Sequence, residues 1–273
     1  MNELQSRLLE IMKWFHNFCV DNNLKYYMLG GTMLGAIRHK GFIPWDDDMD
    51  VGMPREDYMR FIELTKNLKH DIFFVESIYS CSDTFSYPAC KVYDKNSTLI
   101  EHTRRPIIRG IFLDVFPLDS VEYNYKKINK VILRHKILLS QRVAFRTGRN
   151  FLKNVSVFIS RLLPYSDKLI VKKLINLDTK IISLKTSKSN YVANFYGAWG
   201  MKEVMPLRVF GEPTLYSFED SVFFGPECSH DYLKHIYGQY NVLPPLEKRK
   251  THHDFMYLNL QLPFKSFTMQ KLH

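Results

Sequence analysis

Four aspartates fall within five positions, Asp46, Asp47, Asp48 and Asp50, directly after Trp45. Four mutually repelling carboxylates are unfavourable unless a cation neutralises them. Trp45, Met49 and Val51 interleave apolar side chains with the acids, which a solvated acidic tail would not do. Residues 48–53 alternate acid and apolar as a strand does. That puts Asp48 and Asp50 on one face and Met49 and Val51 on the other. Hard oxygen ligands in twos or threes, with room left for phosphate oxygens, are what Mg²⁺ prefers. The plain alternative is a solvated acidic loop.

Two further segments give this one a context. Gly30-Gly31-Thr32 follows a short apolar run at 26–29 and precedes a helix-like stretch at 32–39. A glycine turn at that junction lets the backbone approach an anion, and the helix dipole favours negative charge there. An ordinary strand-to-helix turn has the same composition. The run Phe112-Leu113-Asp114-Val115-Phe116 places one acid inside an apolar strand. A buried lone carboxylate is costly unless paired or metal-bound. Asp114 is therefore expected beside Asp48 and Asp50, with an ion pair to Arg109 as the alternative. Asp119 is expected to end the strand and cap a turn.

The chain has 273 residues, 45% hydrophobic and 24% charged, enough to bury a core in one large or two small units. Its four cysteines include no C-x-x-C pair, which argues against a disulfide framework and for a reducing compartment. No apolar run approaches the length of a membrane-spanning helix. The net charge of +10 is concentrated. Residues 121–190 hold sixteen Lys and Arg against three acids, a net +13 on an otherwise slightly acidic body. That distribution disfavours general nucleic-acid binding. It points to a basic helical segment split at Pro164, suited to peripheral contact with an anionic membrane or with an anionic acceptor. Leu4, Leu8, Ile11, Phe15 and Phe18 mark an amphipathic first helix, and residues 55–68 a further one. Strands are expected at 73–75, 89–93 and 111–116, and short strands with a helix near 231–238 after residue 191. The fold class is α+β.

Residues 27–61, with GGTMLGAIRHKGFIPWDDDMDVGMPREDYMRF at their centre, resemble the LicD family of phosphocholine transferases and the related fukutin-type phosphoribitol transferases. The resemblance continues through Lys91-Val92 and residues 110–119, and resumes over 218–254 with YGQY, LPPLEKR and THHD. It covers about half the chain. Gln239 stands where an acid is expected, so that position is given no role. The resemblance implies a polymerase-β-like nucleotidyltransferase core (a short mixed sheet flanked by helices) in residues 1–120. A basic helical insertion would fill 121–190, and residues 191–273 would complete the site. It implies CDP-choline or another CDP-alcohol as donor, and a hydroxyl of a cell-surface glycan or its lipid-linked precursor as acceptor. CMP would leave. Asp48, Asp50 and Asp114 would hold Mg²⁺ or Mn²⁺, with Asp114 as third ligand or base. Gly30, Gly31, Thr32, Arg38, Asp46, Lys91 and His252 would contact donor and phosphates. A cytoplasmic enzyme, peripheral at the inner face of the membrane, is the expectation.

Other readings stay open on the sequence. A nucleotidyltransferase attaching a nucleoside monophosphate would use the same carboxylates. A non-enzymatic basic adaptor would use residues 121–190 and not need Asp48 or Asp50. Tyr191, Phe195, Tyr196 and Trp199 could box a trimethylammonium by cation–π attraction, or serve in the core. His252, His253 and Asp254 could form a base cluster or lie at the surface.

Overall fold

In the computed structural model, residues 1–80, 87–141, 155, 158, 166–251 and 255–268 are described. Helix α1 (Glu3–Asp21) buries Leu8, Leu9, Ile11, Met12 and Phe15, and a capping box between Asn2 and Gln5 starts it. Strand β1 (Tyr27–Met28) leads into α2 (Gly30–Arg38). The two glycines thus form the first helical turn rather than a turn ahead of it. Gly30, at φ +50°, makes the entry that a side chain would strain. Strand β2 (Asp50–Pro54) and α3 (Arg55–Thr65) follow, then β3 (Phe73–Glu76) and β4 (Cys90–Asp94). Strands β5 (Thr98–Glu101) and β6 (Ile108–Arg109) precede the long β7 (Phe112–Val121).

The main sheet is mixed, in the order β1-β2-β7-β4-β3. β2 and β7 are parallel, with Asp50 opposite Asp114. β7 and β4 are antiparallel, with Lys91 opposite Asp114. On β3, Glu76 is opposite Lys91. Residues in register on neighbouring strands share a face. One row across the sheet therefore reads Asp50, Asp114, Lys91, Glu76, and the pattern of alternating charge begins beyond the two adjacent acids.

The basic segment contributes α4 (Tyr125–Ser140) and α5 (Asp167–Ile182). Their residues Ile128, Ile132, Ile170 and Leu174 join the same hydrophobic cluster as the sheet, so these helices are packed parts of the body. Strands β8 (Tyr191–Ala193) and β9 (Val204–Pro206) extend the main sheet through β7. The hairpin β10 (Thr214–Phe218) and β11 (Ser221–Gly225), then α6 (Ser229–Tyr237), cover α2. Strand β12 (Phe255–Asn259) completes a small sheet with β5 and β6. The observed class is mixed α and β. Among the described residues no helix is long and apolar enough to cross a membrane.

Asp119 differs from its expected role. It is a buried member of β7, 3% exposed, and pairs with Arg55 through two hydrogen bonds of 2.8 and 2.7 Å. The same guanidinium holds Asp178 of α5 at 3.0 and 2.9 Å, and Asp178 also accepts from the Tyr79 and Tyr196 hydroxyls. Strand β7 runs on past Asp119 because β8 pairs with its last residues. Pro164, His252, His253 and Asp254 lie outside the described residues.

Candidate active site

The acidic segment is held from below by α1. Gln5 is buried and its side-chain amide donates to the Asp46 carbonyl at 2.9 Å and to the Ile43 carbonyl at 3.3 Å. Thr251 donates to the Asp47 carboxylate, and the Arg249 guanidinium lies over the Trp45 ring, 5.6 Å from its centroid. The loop is thus fastened on both sides before β2 begins at Asp50.

Asp48, Asp50 and Asp114 all line one cleft of about 320 Å³. Asp50 and Asp114 come from adjacent parallel strands, and Asp48 from the loop entering the first of them. Burial first, then the charges of Asp48, Asp114 and Asp46, raise the Asp50 carboxyl well above its usual range. Asp114 is raised too, mainly by burial, against the pull of Lys91. Lys91 Nζ lies 2.9 Å from Asp114 Oδ1 as a buried ion pair. The expected partner Arg109 instead grips Glu76 at 2.8 and 3.0 Å. Lys91 wins because it stands directly opposite Asp114 on β4, whereas Arg109 lies on β6.

Oxygen-only donors, and carboxylates at Asp48, Asp50 and Asp114 that repel one another at a buried position, together fit a hard divalent cation. Among the described residues, the group whose carboxylate oxygens lie within 4.8 Å of one another is Asp46, Asp47 and Asp48. Only Asp48 is common to that trio and to the expected one.

The other expected contacts fall in different places. The Gly30 N–H donates to the Tyr232 hydroxyl at 2.9 Å, and Gly30 lines the cleft. A Cβ on Gly31 would meet an Asp46 carboxylate oxygen at 2.5 Å, so that glycine admits the acid against the start of α2. Thr32 is buried, and its hydroxyl oxygen accepts the Asp50 N–H at 2.8 Å. It fixes the start of the strand that carries Asp50, where α2 packs beside β2. Arg38 ends α2 and donates to the Tyr240 carbonyl at 3.0 Å, away from the cleft lining. The Lys91 ammonium is buried on Asp114 and 3.1 Å from the Phe112 ring centroid.

The proposed aromatic box does not assemble. Trp199 and Tyr196 line the cleft, while Tyr191 stacks near Tyr123 at 4.9 Å and Phe195 is core.

His135 of α4 and Glu203 are among the cleft residues that escaped the sequence reading. His135 lies seven residues after Ile128 on the apolar stripe of α4, where a polar residue was a readable anomaly. Glu203 carries no comparable signal. Burial raises its carboxyl from the ordinary 4.5 to about 7. The folded protein keeps a proton there that the unfolded chain has released, so Glu203 lowers stability as pH rises from about 4.5 to about 7 and by a constant amount above. Glu203→Gln should gain in melting temperature on the wild type across that window and hold its lead beyond it. A gap unchanged between about pH 5 and pH 8 contradicts the shifted carboxyl.

A family model described as LicD/FKTN/FKRP, nucleotidyltransferase domain, matches residues 23–140, the stretch holding Asp48, Asp50 and Asp114. The lipopolysaccharide cholinephosphotransferase LicD of Haemophilus influenzae is 30% identical over 256 residues, covering 93% of this chain and 96% of that protein. An uncharacterized protein of Rickettsia typhi is 38% identical over 87 residues, 29% of this chain and 28% of its own. The human ribitol 5-phosphate transferase FKRP is 50% identical over 34 residues, 12% of this chain and 7% of its own. A likeness that runs nearly end to end, through the strands that carry Asp50 and Asp114, makes this chain a member of the LicD family.

Proposed function

We propose that the protein transfers phosphocholine, or a similar alcohol phosphate, from a CDP-activated donor to a glycan hydroxyl and releases CMP. The observation that carries this reading is the in-register pair Asp50 and Asp114 lining one cleft with Asp48. The relative whose name is a lipopolysaccharide cholinephosphotransferase supports both the alcohol phosphate and the glycan. FKRP, a ribitol 5-phosphate transferase, supports the wider class of phosphoalcohol transfer. A nucleotidyltransferase-like core is the fold this reading assigns to the mixed sheet and its flanking helices.

Asp48, Asp50 and Asp114 would hold Mg²⁺ or Mn²⁺. Bound there, the ion would neutralise the donor's phosphate charge and make the phosphorus distal to cytidine open to attack. The chain's own part is positional. Thr32 fixes the start of β2, Gln5 fixes the Asp46 carbonyl, and Lys91 sets the Asp114 carboxylate. The Tyr232 hydroxyl holds the Gly30 N–H at the mouth of α2. Incubation with a panel of CDP-alcohols and Mg²⁺, read by mass spectrometry of the saccharide, tests the head group. Transfer from CDP-choline in preference to CDP-ribitol and CDP-glycerol is expected, and no transfer from any of them contradicts the reading.

The basic segment supplies a second, separable proposal, peripheral binding to an anionic membrane. A groove of about 320 Å³ between α4 and α5 is floored by Ile137, Leu138 and Leu177 and rimmed by Arg134, Lys173 and Lys180. Each basic residue near an anionic bilayer contributes about 1 kcal/mol, which salt removes. Sedimentation with phosphatidylserine vesicles should rise with anionic lipid and disappear near 1 M salt, where the Debye length is about 3 Å. Salt-insensitive binding, or none, removes the membrane contact and leaves the transfer reading standing.

A further inference from the structure

The cleft has two chemically different sides. Strands β2 and β7 bring the carboxylates, while α4 and residues 194–203 bring groups that suit an uncharged ligand. His135 is 2% exposed, lines the cleft, and its Nε2 has no hydrogen-bond partner among the described residues. A buried polar atom left so costs about 1–3 kcal/mol. Burial, reinforced by the neighbouring Lys136, lowers its pKa to about 4, so the imidazole is neutral at neutral pH. In a neutral imidazole Nε2 is a donor or an acceptor according to tautomer, and a hydroxyl can meet it in either role whereas an ionised phosphate oxygen only accepts.

Trp199 stands on the same side, 47% exposed, braced by the Tyr237 ring at 5.2 Å. Glu203 lies beneath this loop and accepts the Trp199 N–H at 3.3 Å. A Cβ at Gly197 would come within 2.3 Å of its carboxylate oxygen, so a glycine is what lets the chain pass this acid. An exposed indole beside a buried imidazole and a buried carboxyl offers one apolar face and several hydrogen-bonding positions. A saccharide ring, with C–H faces and hydroxyl edges, has the complementary chemistry.

We propose that His135, Glu203 and Trp199 form the acceptor-saccharide subsite of the cleft, opposite the carboxylates. The indole takes the C–H face of a sugar ring, and His135 Nε2 and the Glu203 carboxyl bond its hydroxyls. This inference rests on transfer to a glycan hydroxyl and adds where the glycan binds.

Saturation-transfer NMR with a deacylated lipooligosaccharide core as probe, and no donor present, reads the subsite directly. The wild type should transfer saturation to sugar ring protons. His135→Phe and Trp199→Ala should each reduce that transfer by about fivefold or more, while His135→Asn recovers part of it and Asp48→Asn leaves it intact. Melting curves check folding, and should His135→Phe fail to fold, the variant at exposed Trp199 decides. Undiminished transfer in the folded variants, or no binding by the wild type, overturns the subsite. CMP release from CDP-choline is measured separately on the wild type. A protein that binds the saccharide through these residues but releases no CMP keeps the subsite and loses the donor reading.

Discussion

Asp48→Asn and Asp50→Asn should each abolish transfer, by a thousandfold or more, while the protein still folds. A thousandfold corresponds to about 4 kcal/mol of lost transition-state stabilisation, within the range for one hard ligand of a phosphoryl-transfer site. Folding should survive because each substitution removes one negative charge from a group whose members oppose one another. Burial and the charges of Asp48, Asp114 and Asp46 all act against an ionised Asp50. The Asn amide keeps the carboxylate's shape, and the Asp50 main chain stays held by Thr32 and by Leu29, whose N–H donates to the Asp50 carbonyl at 3.0 Å. Titration calorimetry with Mn²⁺ gives a readout independent of turnover, and both variants should lose most of its heat. Near-normal turnover in either folded variant at saturating Mg²⁺ sinks the assignment of these carboxylates.

The largest effect on stability is expected at Arg55, remote from the expected metal ligands. Its guanidinium is the shared counter-charge of Asp119 and Asp178, which are 3% and 1% exposed. Arg55→Met would leave two buried carboxylates with no cation, and breaking a buried pair in this way costs about 3–5 kcal/mol. The three residues tie α3, β7 and α5 together, and Asp178 further anchors Tyr196 at the cleft. Urea denaturation should show the loss, and adding Asp119→Asn to Arg55→Met should recover part of it because one orphaned charge is gone. A shift below about 1 kcal/mol would mean that the network contributes little to the folded state.

What the sequence disclosed and what it hid divide along a physical line. The pattern of α1, the strand after the acidic run and the apolar context of Asp114 are local, set by side-chain periodicity within a few residues, and each lies close to where periodicity puts it. Strand β2 starts at Asp50 rather than Asp48, since pairing with β1 reaches Val51 and Gly52 while Asp48 remains in the loop. Of the pairings across the chain, Asp114 beside Asp50 was anticipated, because each acid stands out in an apolar strand, whereas those without such an anomaly were not. Asp119 meets Arg55 and Asp178 across separations of 64 and 59 positions in sequence, and no periodicity encodes that meeting. The hydrogen bond that the Thr32 hydroxyl accepts from the Asp50 N–H joins α2 to β2 and was not legible either. Glu203 stayed hidden because its burial depends on Gly197 and Trp199 folding over it.

The central claim, alcohol-phosphate transfer with CMP as leaving group, is tested most directly by identifying both products of one reaction. The purified full chain, Mg²⁺, CDP-choline and a lipooligosaccharide acceptor are incubated together, and nucleotide and saccharide are analysed by mass spectrometry. CMP formed in equal amount with a phosphocholine-bearing saccharide is the predicted result, and it should vanish in Asp50→Asn. A saccharide carrying cytidine monophosphate, with phosphocholine released in place of CMP, would show attack at the other phosphorus and contradict the account.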